Sequence, residues 1–409
     1  MPAFLALALV GAVTALPLPE GYTVTPEGAR RLIAVNPRGT VLASASIPNG
    51  YAKDRVVRWR RDGTRAVFVP LPAPSWYPSP ELEFAEASAL AGDDVAYVDV
   101  ARPFSGAYSG VSYETQRWPA GAAQRFAPVR CGGASGFPHA AAVDTRGRVA
   151  MTYDTSAGLI LDPEHPASDA PIANLATESS CIALGRGVVL AVRGAYAAGY
   201  RGYLGTSLAP IPLNPQQQTM RVVRWHGDTA RELGDGVGLA VNASGVVAGA
   251  SALPALSGEI RFVMSGPNGT VSHAYAARVP SALMWDSSGR PTRLAPASRR
   301  SVAYDVGDDG TVVGMLVDRA GKHRAFRWAR GRLTLLDDLP HPPGWRFESA
   351  YALAADGAIV GIGTYRGIAT VFVYRDAGGS GAAQARGGSG AARARGGSGA
   401  ARTRRVQRS

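Results

Sequence analysis

The chain has 409 residues, 43 Lys and Arg against 31 Asp and Glu (formal net charge +12), and 46% hydrophobic side chains. That apolar share excludes a chain disordered throughout, and the length is enough to bury a large core. Gly 50 and Pro 29, with many short apolar runs and few long helical patterns, exclude a helical bundle and favour an all-β fold.

The first element is residues 3–16, AFLALALVGAVTAL, an apolar run shorter than a typical membrane span and stopped by Pro17 and Pro19. Val13 and Ala15 suit the −3 and −1 positions of a signal-peptidase site, so residues 1–15 read as a leader cleaved after Ala15. No Lys or Arg precedes the run, and the competing reading is a buried first strand or helix. A leader implies a secreted or periplasmic protein, and no later segment is long and apolar enough to span a bilayer. In an oxidising compartment Cys131 and Cys181 suit one disulfide; two buried free thiols are the alternative.

Residues 21–376 read as one repeat domain that begins with a short strand, GYTVT, at 21–25. The first repeat, 32–72, runs IAVNPRGTVLASAS, RVVRWRRDG and AVFVPL. The second, 86–128, carries ASALAGDDVAYVDV and then Gln116-Arg117-Trp118. A degenerate third copy, 139–161, has HAAAVDTRGRVAMTYD and GLIL. The fourth, 180–235, opens with SCIALGRGVVLAV and reaches RVVRWHGDTARELGD after a long insert. In the fifth, 238–295, GLAVNASGVVAGAS is followed by a second insert, then SALMWDSSG and TRL. The clearest unit is the sixth, 301–339: AYDV, a turn at Asp308-Asp309-Gly310, TVVGMLV, RAFRW, a Gly331 turn and LTLL. The last, AYALAADGAIVGIGTYRG with TVFVY, stops after three strands at Tyr374. Seven starts, one of them a strand short, predict a seven-bladed β-propeller of four-stranded antiparallel blades, with GYTVT completing the last blade; six or eight blades are the alternatives, since the third copy is degenerate.

The third strand of each unit carries a large aromatic. Residues two apart share a strand face, so Val57 and Trp59, Val223 and Trp225, Leu283 and Trp285, and Phe326 and Trp328 point alike. With Trp118 these aromatics are read as the packing between blades. The run Gly321-Lys322-His323-Arg324-Ala325-Phe326-Arg327-Trp328, then Gly331 and Leu335-Leu336-Asp337-Asp338-Leu339, resembles the bacterial HAF repeat, with its consensus like HAFxWxxGxxxxLxxL. Tyr304-Asp305-Val306 through Val313-Gly314 is similar to its other half, where an Asn is usual and Asp305 stands; Asn36 and Asn242 keep that Asn. The resemblance is good over 238–374, partial over 32–72 and poor between 100 and 235. It implies an exported, propeller-like fold and brings no catalytic residues with it.

Chemistry-bearing motifs are sparse. There is no HExxH, P-loop, GxSxG or Cys-x-x-Cys, and the six histidines do not fall at paired ligand spacing, so no catalytic residue, metal or cofactor is implied. Asp308-Asp309-Gly310 and Asp93-Asp94 read as turn aspartates. Two inserts, 196–219 and 252–280, link second to third strands and would build a rim on one face, where Tyr196, Tyr200, Arg201 and Tyr203 suit stacking on a sugar or peptide. Residues 377–409 form a disordered tail built on GGSGAAQAR, GGSGAARAR and GGSGAARTR. Its Arg386, Arg393, Arg395, Arg402, Arg404, Arg405 and Arg408 suit loose binding of a polyanion. The reading that follows is an exported, monomeric, non-enzymatic binding or scaffold module whose partner is a saccharide or envelope polyanion. The alternative is a polysaccharide hydrolase or lyase with carboxylates converging on the axial channel.

Overall fold

The computed structural model describes residues 11–24, 33–46, 55–72, 84–104, 110–131, 137–154, 172–201, 220–252, 259–266, 269–276, 280–296 and 299–376. Among them stand seven four-stranded antiparallel sheets and one separate hairpin. The sheets are the blades of a seven-bladed β-propeller: blade 1 spans 33–67, blade 2 84–125, blade 3 137–186, blade 4 188–235, blade 5 237–293, blade 6 301–335 and blade 7 345–375. The first strand of each blade is innermost and packs against its neighbours, and that of blade 1 meets blade 7. No helix among the described residues is long and apolar enough to cross a membrane.

The missing fourth strand of blade 7 is supplied from the N-terminus, but by Ala12–Leu16 and not by residues 21–25. GYTVT contributes one bridge, Thr23 to Ser46 at the edge of blade 1. The reason lies in composition: Val13 and Leu16 reach the apolar packing beside blades 6 and 1, whereas Pro17 and Pro19 end the strand before GYTVT begins. The domain therefore reaches back into the residues that read as leader.

Blades 3 and 4 are divided differently from the sequence reading. Cys181–Arg186 is the fourth strand of blade 3, and blade 4 starts at Val188. The third strand of blade 3 is Ile172–Ala176; GLIL lies outside the described residues. The two strands of 181–193 run on through Gly187 at φ +140, so the sequence shows one apolar stretch where the fold changes blades.

Six blades turn from the first to the second strand through a five-residue loop and blade 4 through two residues, and in blades 1 and 5 the loop's first residue also joins the blade to the next. Asn36 accepts the backbone N–H of Arg38 and Thr40 at 3.0 Å, and its amide donates to Ala91 O at 2.9 Å in blade 2. Asn242 repeats this in blade 5, accepting from Ser244 and Val246 and donating to Gly307 O of blade 6 at 3.0 Å. In blade 6 the equivalent position is Gly307, not Asp305; Asp305 lies two residues earlier and accepts the N–H of Leu353 in blade 7 at 2.8 Å. Six inner strands carry a register shift just before the turn. That bulge drives an inner-strand carbonyl toward the second strand, where a Cβ at Gly314 or Gly361 would lie 2.0 or 2.1 Å from Val302 O or Ser349 O.

The third strand ties blades together in both directions. Trp225 is fully buried and donates its indole N–H back to Leu184 O of blade 3 at 2.8 Å. Its neighbour Arg224 points forward, donating to Gly245 O at 2.6 Å, Asp286 O at 3.3 Å and Ser287 O at 2.9 Å in blade 5. Trp59 and Arg58 do the same: indole to Pro17 O beside the closing strand at 3.0 Å, guanidinium to Asp94, Trp118 and Pro119 carbonyls of blade 2. Burial, reinforced by Arg60 and opposed by Asp94, pulls the Arg58 guanidinium below its ordinary pKa. Trp118, Trp285 and Phe326 are buried too, and Trp328 is half-buried. Cys131 and Cys181 are joined as a disulfide with Cα atoms 6.1 Å apart, fastening the segment before blade 3 to that blade's outer strand.

Replacing Arg224 removes charge-assisted hydrogen bonds to three carbonyls at once. Arg224→Met, the residue type that blade 5 places at the matching Met284, is expected to lower stability by about 2 kcal/mol or more in urea unfolding. Arg224→Lys should recover less than half, because an ammonium cannot span the fork. Asn242→Asp keeps the two turn acceptors and loses the donor to Gly307, so it should cost less than Asn242→Ala, by about 1 kcal/mol in the same assay.

Candidate ligand site at the mouth of the ring

Antiparallel blades place all first-to-second turns on one face of the ring, and there the inner strands open into a cavity of about 840 Å³. Its floor is aliphatic: Val35, Leu90, Val143, Val192, Val241 and Leu353, from six blades. Deeper along the axis Ile33, Leu190, Leu239, Tyr304 and Tyr351 belong to one apolar cluster, with the two tyrosine rings 4.5 Å apart. Apolar side chains thus predominate among the described inner-strand residues of this cavity, with Ser88 and Asp305 beside them.

The rim is charged and balanced. Arg38, Arg117, Arg146 and Arg193 line the cavity together with Asp93, Asp144, Glu178 and Asp305. Most of these groups hold the fold. Asp144 accepts the N–H of Arg146 and Arg148 at 2.8 Å and pairs with the Arg148 guanidinium at 2.7 Å. Arg117 faces Glu178 of blade 3 at 4.0 Å. Just behind the rim, Asp94 accepts from Asn36 at 2.7 Å and faces Arg38 at 3.4 Å. Burial works against ionisation of Asp94, but hydrogen bonds from Thr40, Asn36 and Arg38 outweigh it and keep the carboxyl below its usual range. Asp308 behaves likewise: burial opposes the charge, while the Ala243 N–H at 3.0 Å and the Arg193 guanidinium at 2.7 Å favour it more strongly.

The aromatic rim expected from the inserts is not formed by the residues named for it. Tyr196–Arg201 is the second strand of blade 4, not a loop. Tyr200 is buried, and Tyr196 packs on His226 with ring centroids 4.8 Å apart and under the Arg224 guanidinium. Arg201 donates to Arg186 O at 2.7 Å. Tyr203 and the rest of that insert, and the seven tail arginines of 377–409, lie outside the described residues. The second insert contains a hairpin, Glu259–Gly266 with Gly269–Ala276. Both inserts leave from the end of the blades opposite the cavity, since they follow the second strand. The turns at this face carry an Asn or Asp three places before a Gly at Asn36, Asp144 and Asn242, of which Asn36 and Asp144 line the cavity, a pattern visible in the repeats once their registers are aligned.

No family model and no curated protein sequence matches the chain. Among solved structures it is similar to the β-propeller domain of the Trilobed protease from Pyrococcus furiosus, at 10% identity and TM-score 0.48, over 84% of this chain and 92% of that one. Dipeptidyl peptidase 4 from Porphyromonas gingivalis aligns at 11% identity and TM-score 0.33, over 84% of this chain and 60% of its own. A putative oxidoreductase (glucose dehydrogenase) from Thermus thermophilus aligns at 14% identity and TM-score 0.33, over 89% of this chain and 99% of its own.

The lowered pKa of Asp308 has a signed consequence. A carboxyl depressed in the folded state adds stability above its unfolded value of 3.8, and that stability is lost as pH falls through the lower folded value. Asp308→Asn is therefore expected to be less stable than the wild type at pH 7 and to lose less of its stability between pH 5 and 3. Urea unfolding across that range reads the difference, and parallel pH profiles would remove the assignment.

Proposed function

We propose that the protein is a non-enzymatic propeller module that binds a peptide segment in the cavity at the mouth of the ring. The observation that carries this reading is the combination of an aliphatic floor with a rim of four arginines and four carboxylates. Apolar side chains of an extended segment suit the floor, and a rim of both signs suits the mixed charges and amides of a peptide better than a uniform polyanion. Exposed pairs such as Arg193 with Asp308 are worth little in water, so their guanidiniums can exchange partners when a ligand arrives. The polyanion partner expected of the arginine tail would then be a separate contact. A saccharide hydrolase is the less favoured reading, because the carboxylates at the mouth are turn and inter-blade acceptors.

The Cys131–Cys181 bond supports action in an oxidising compartment, secreted or periplasmic. Membership of the HAF-repeat group is proposed on the same footing: its Asn, Val-Gly and aromatic positions coincide with the turn, the close strand approach and the blade contact described above.

Thr145 lines the cavity and is exposed in the blade 3 turn, so Thr145→Trp crowds the mouth with little change to the blade. A panel of short mixed-charge peptides, measured by thermal shift and calorimetry against uronic-acid oligosaccharides and heparin, is expected to yield peptide binding with a shallow salt dependence. In Thr145→Trp that affinity should fall at least about tenfold with an unchanged fold, equivalent to about 1.4 kcal/mol. Binding confined to heparin, or turnover of an oligosaccharide, would replace this reading with the polyanion or hydrolase one.

A further inference from the structure

The strand that closes the ring comes from residues that read in sequence as the end of a removable leader. Ala12–Leu16 pairs along its whole length with the third strand of blade 7, from Ala12 opposite Arg375 to Leu16 opposite Val371. The chain is held on both sides of it. Gly11 donates its N–H to Pro340 O at 3.1 Å, and a Cβ there would lie 2.5 Å from that oxygen and 2.9 Å from the Tyr374 hydroxyl. Beyond the strand, Pro17 O accepts the Trp59 indole at 3.0 Å and Leu18 O accepts Arg65 at 2.8 Å, so blade 1 grips the same segment. Val13 packs into the core shared by blades 6 and 7, while Leu16 and Leu18 pack against the central cluster.

Cleavage after Ala15 would remove four of the five paired residues, Ala12 to Ala15. The strand Ile368–Arg375 would become an open edge with a row of unpaired backbone groups, and the core between blades 6 and 7 would lose Val13. Small apolar residues fit a peptidase subsite and a half-exposed edge strand equally well, which is why sequence pattern does not separate the two uses. We propose that residues 11–18 are retained in the mature protein as the fastener of the ring, and that any processing of this chain cuts on the N-terminal side of Gly11. The retained segment supplies main-chain hydrogen bonds to blade 7 and side-chain packing to blades 6 and 1.

The test determines the N-terminus of the full chain by intact mass, in the fraction where the folded protein accumulates, and compares thermal unfolding of the wild type and Val13→Asp. The folded chain is expected to begin at or before Gly11. Val13→Asp should lower Tm by at least about 3 °C, because it sets a carboxylate in the core between blades 6 and 7. A folded chain that begins at Leu16, or a Val13→Asp protein that unfolds at the wild-type temperature, would overturn the proposal. The mass measurement stands even where the aspartate variant fails to fold.

Discussion

In blades 1 and 4 the paired Trp and Arg of the third strand tie the blade to what stands on both sides of it. A propeller blade is a small twisted sheet with two apolar faces, and neither face is covered until a neighbour stands against it. Trp225 fills the gap to one neighbour and hands its indole N–H back across it, while Arg224 reaches the other way to three carbonyls. Buried carbonyls at a blade edge need donors, and a guanidinium offers several in a fixed fork. One dipeptide thus satisfies two interfaces, and Trp59 with Arg58 repeats the arrangement in blade 1. The asparagine turns add a second, shallower tie between neighbours nearer the mouth.

A ring tied blade to blade still has to close. Blade 7 has three strands of its own, and the N-terminal segment completes it while remaining attached to blade 1 through Trp59 and Arg65. Closure therefore joins the ends of the domain through both sheet hydrogen bonds and the same Trp contact used between other blades. The apolar residues Val13, Leu16 and Leu18 follow from this position, on the outer edge of blade 7 and against blades 6 and 1.

The mouth cavity inherits its character from the way the blades join. Inner-strand ends are aliphatic because they face one another around the axis, and the turns are rich in Asn, Asp and Arg because each must satisfy its own backbone and reach the next blade. Charged groups gathered for these structural reasons leave a rim balanced in sign above an apolar floor. Binding by exchange of exposed ion pairs suits such a rim better than acid–base chemistry does.

Much of the fold is legible in the sequence because strand alternation and turn residues are local. Repeats 5 to 7 show their strands in order, and blade 6 agrees with its expected strands almost residue for residue. Where the local signal is ambiguous, only tertiary contact decides. Cys181–Arg186 and Val188–Arg193 form one apolar stretch, and their assignment to different blades depends on which partner strand each one finds. Tyr196 and Tyr200 resemble loop aromatics only while the insert is counted from the wrong strand; in the true pairing both belong to blade 4, where Tyr200 is buried. The mouth is hidden for a related reason, since its lining comes from residues spread from Ala34 to Leu353 that share no linear motif. Sequence by itself determined an all-β repeat of four-stranded units, most of them with an aromatic in the third strand, because periods of two and recurring turns are written locally. The tertiary structure alone chose Ala12–Leu16 over residues 21–25 as the closing strand, because that choice rests on which apolar face fits between blades 7 and 1.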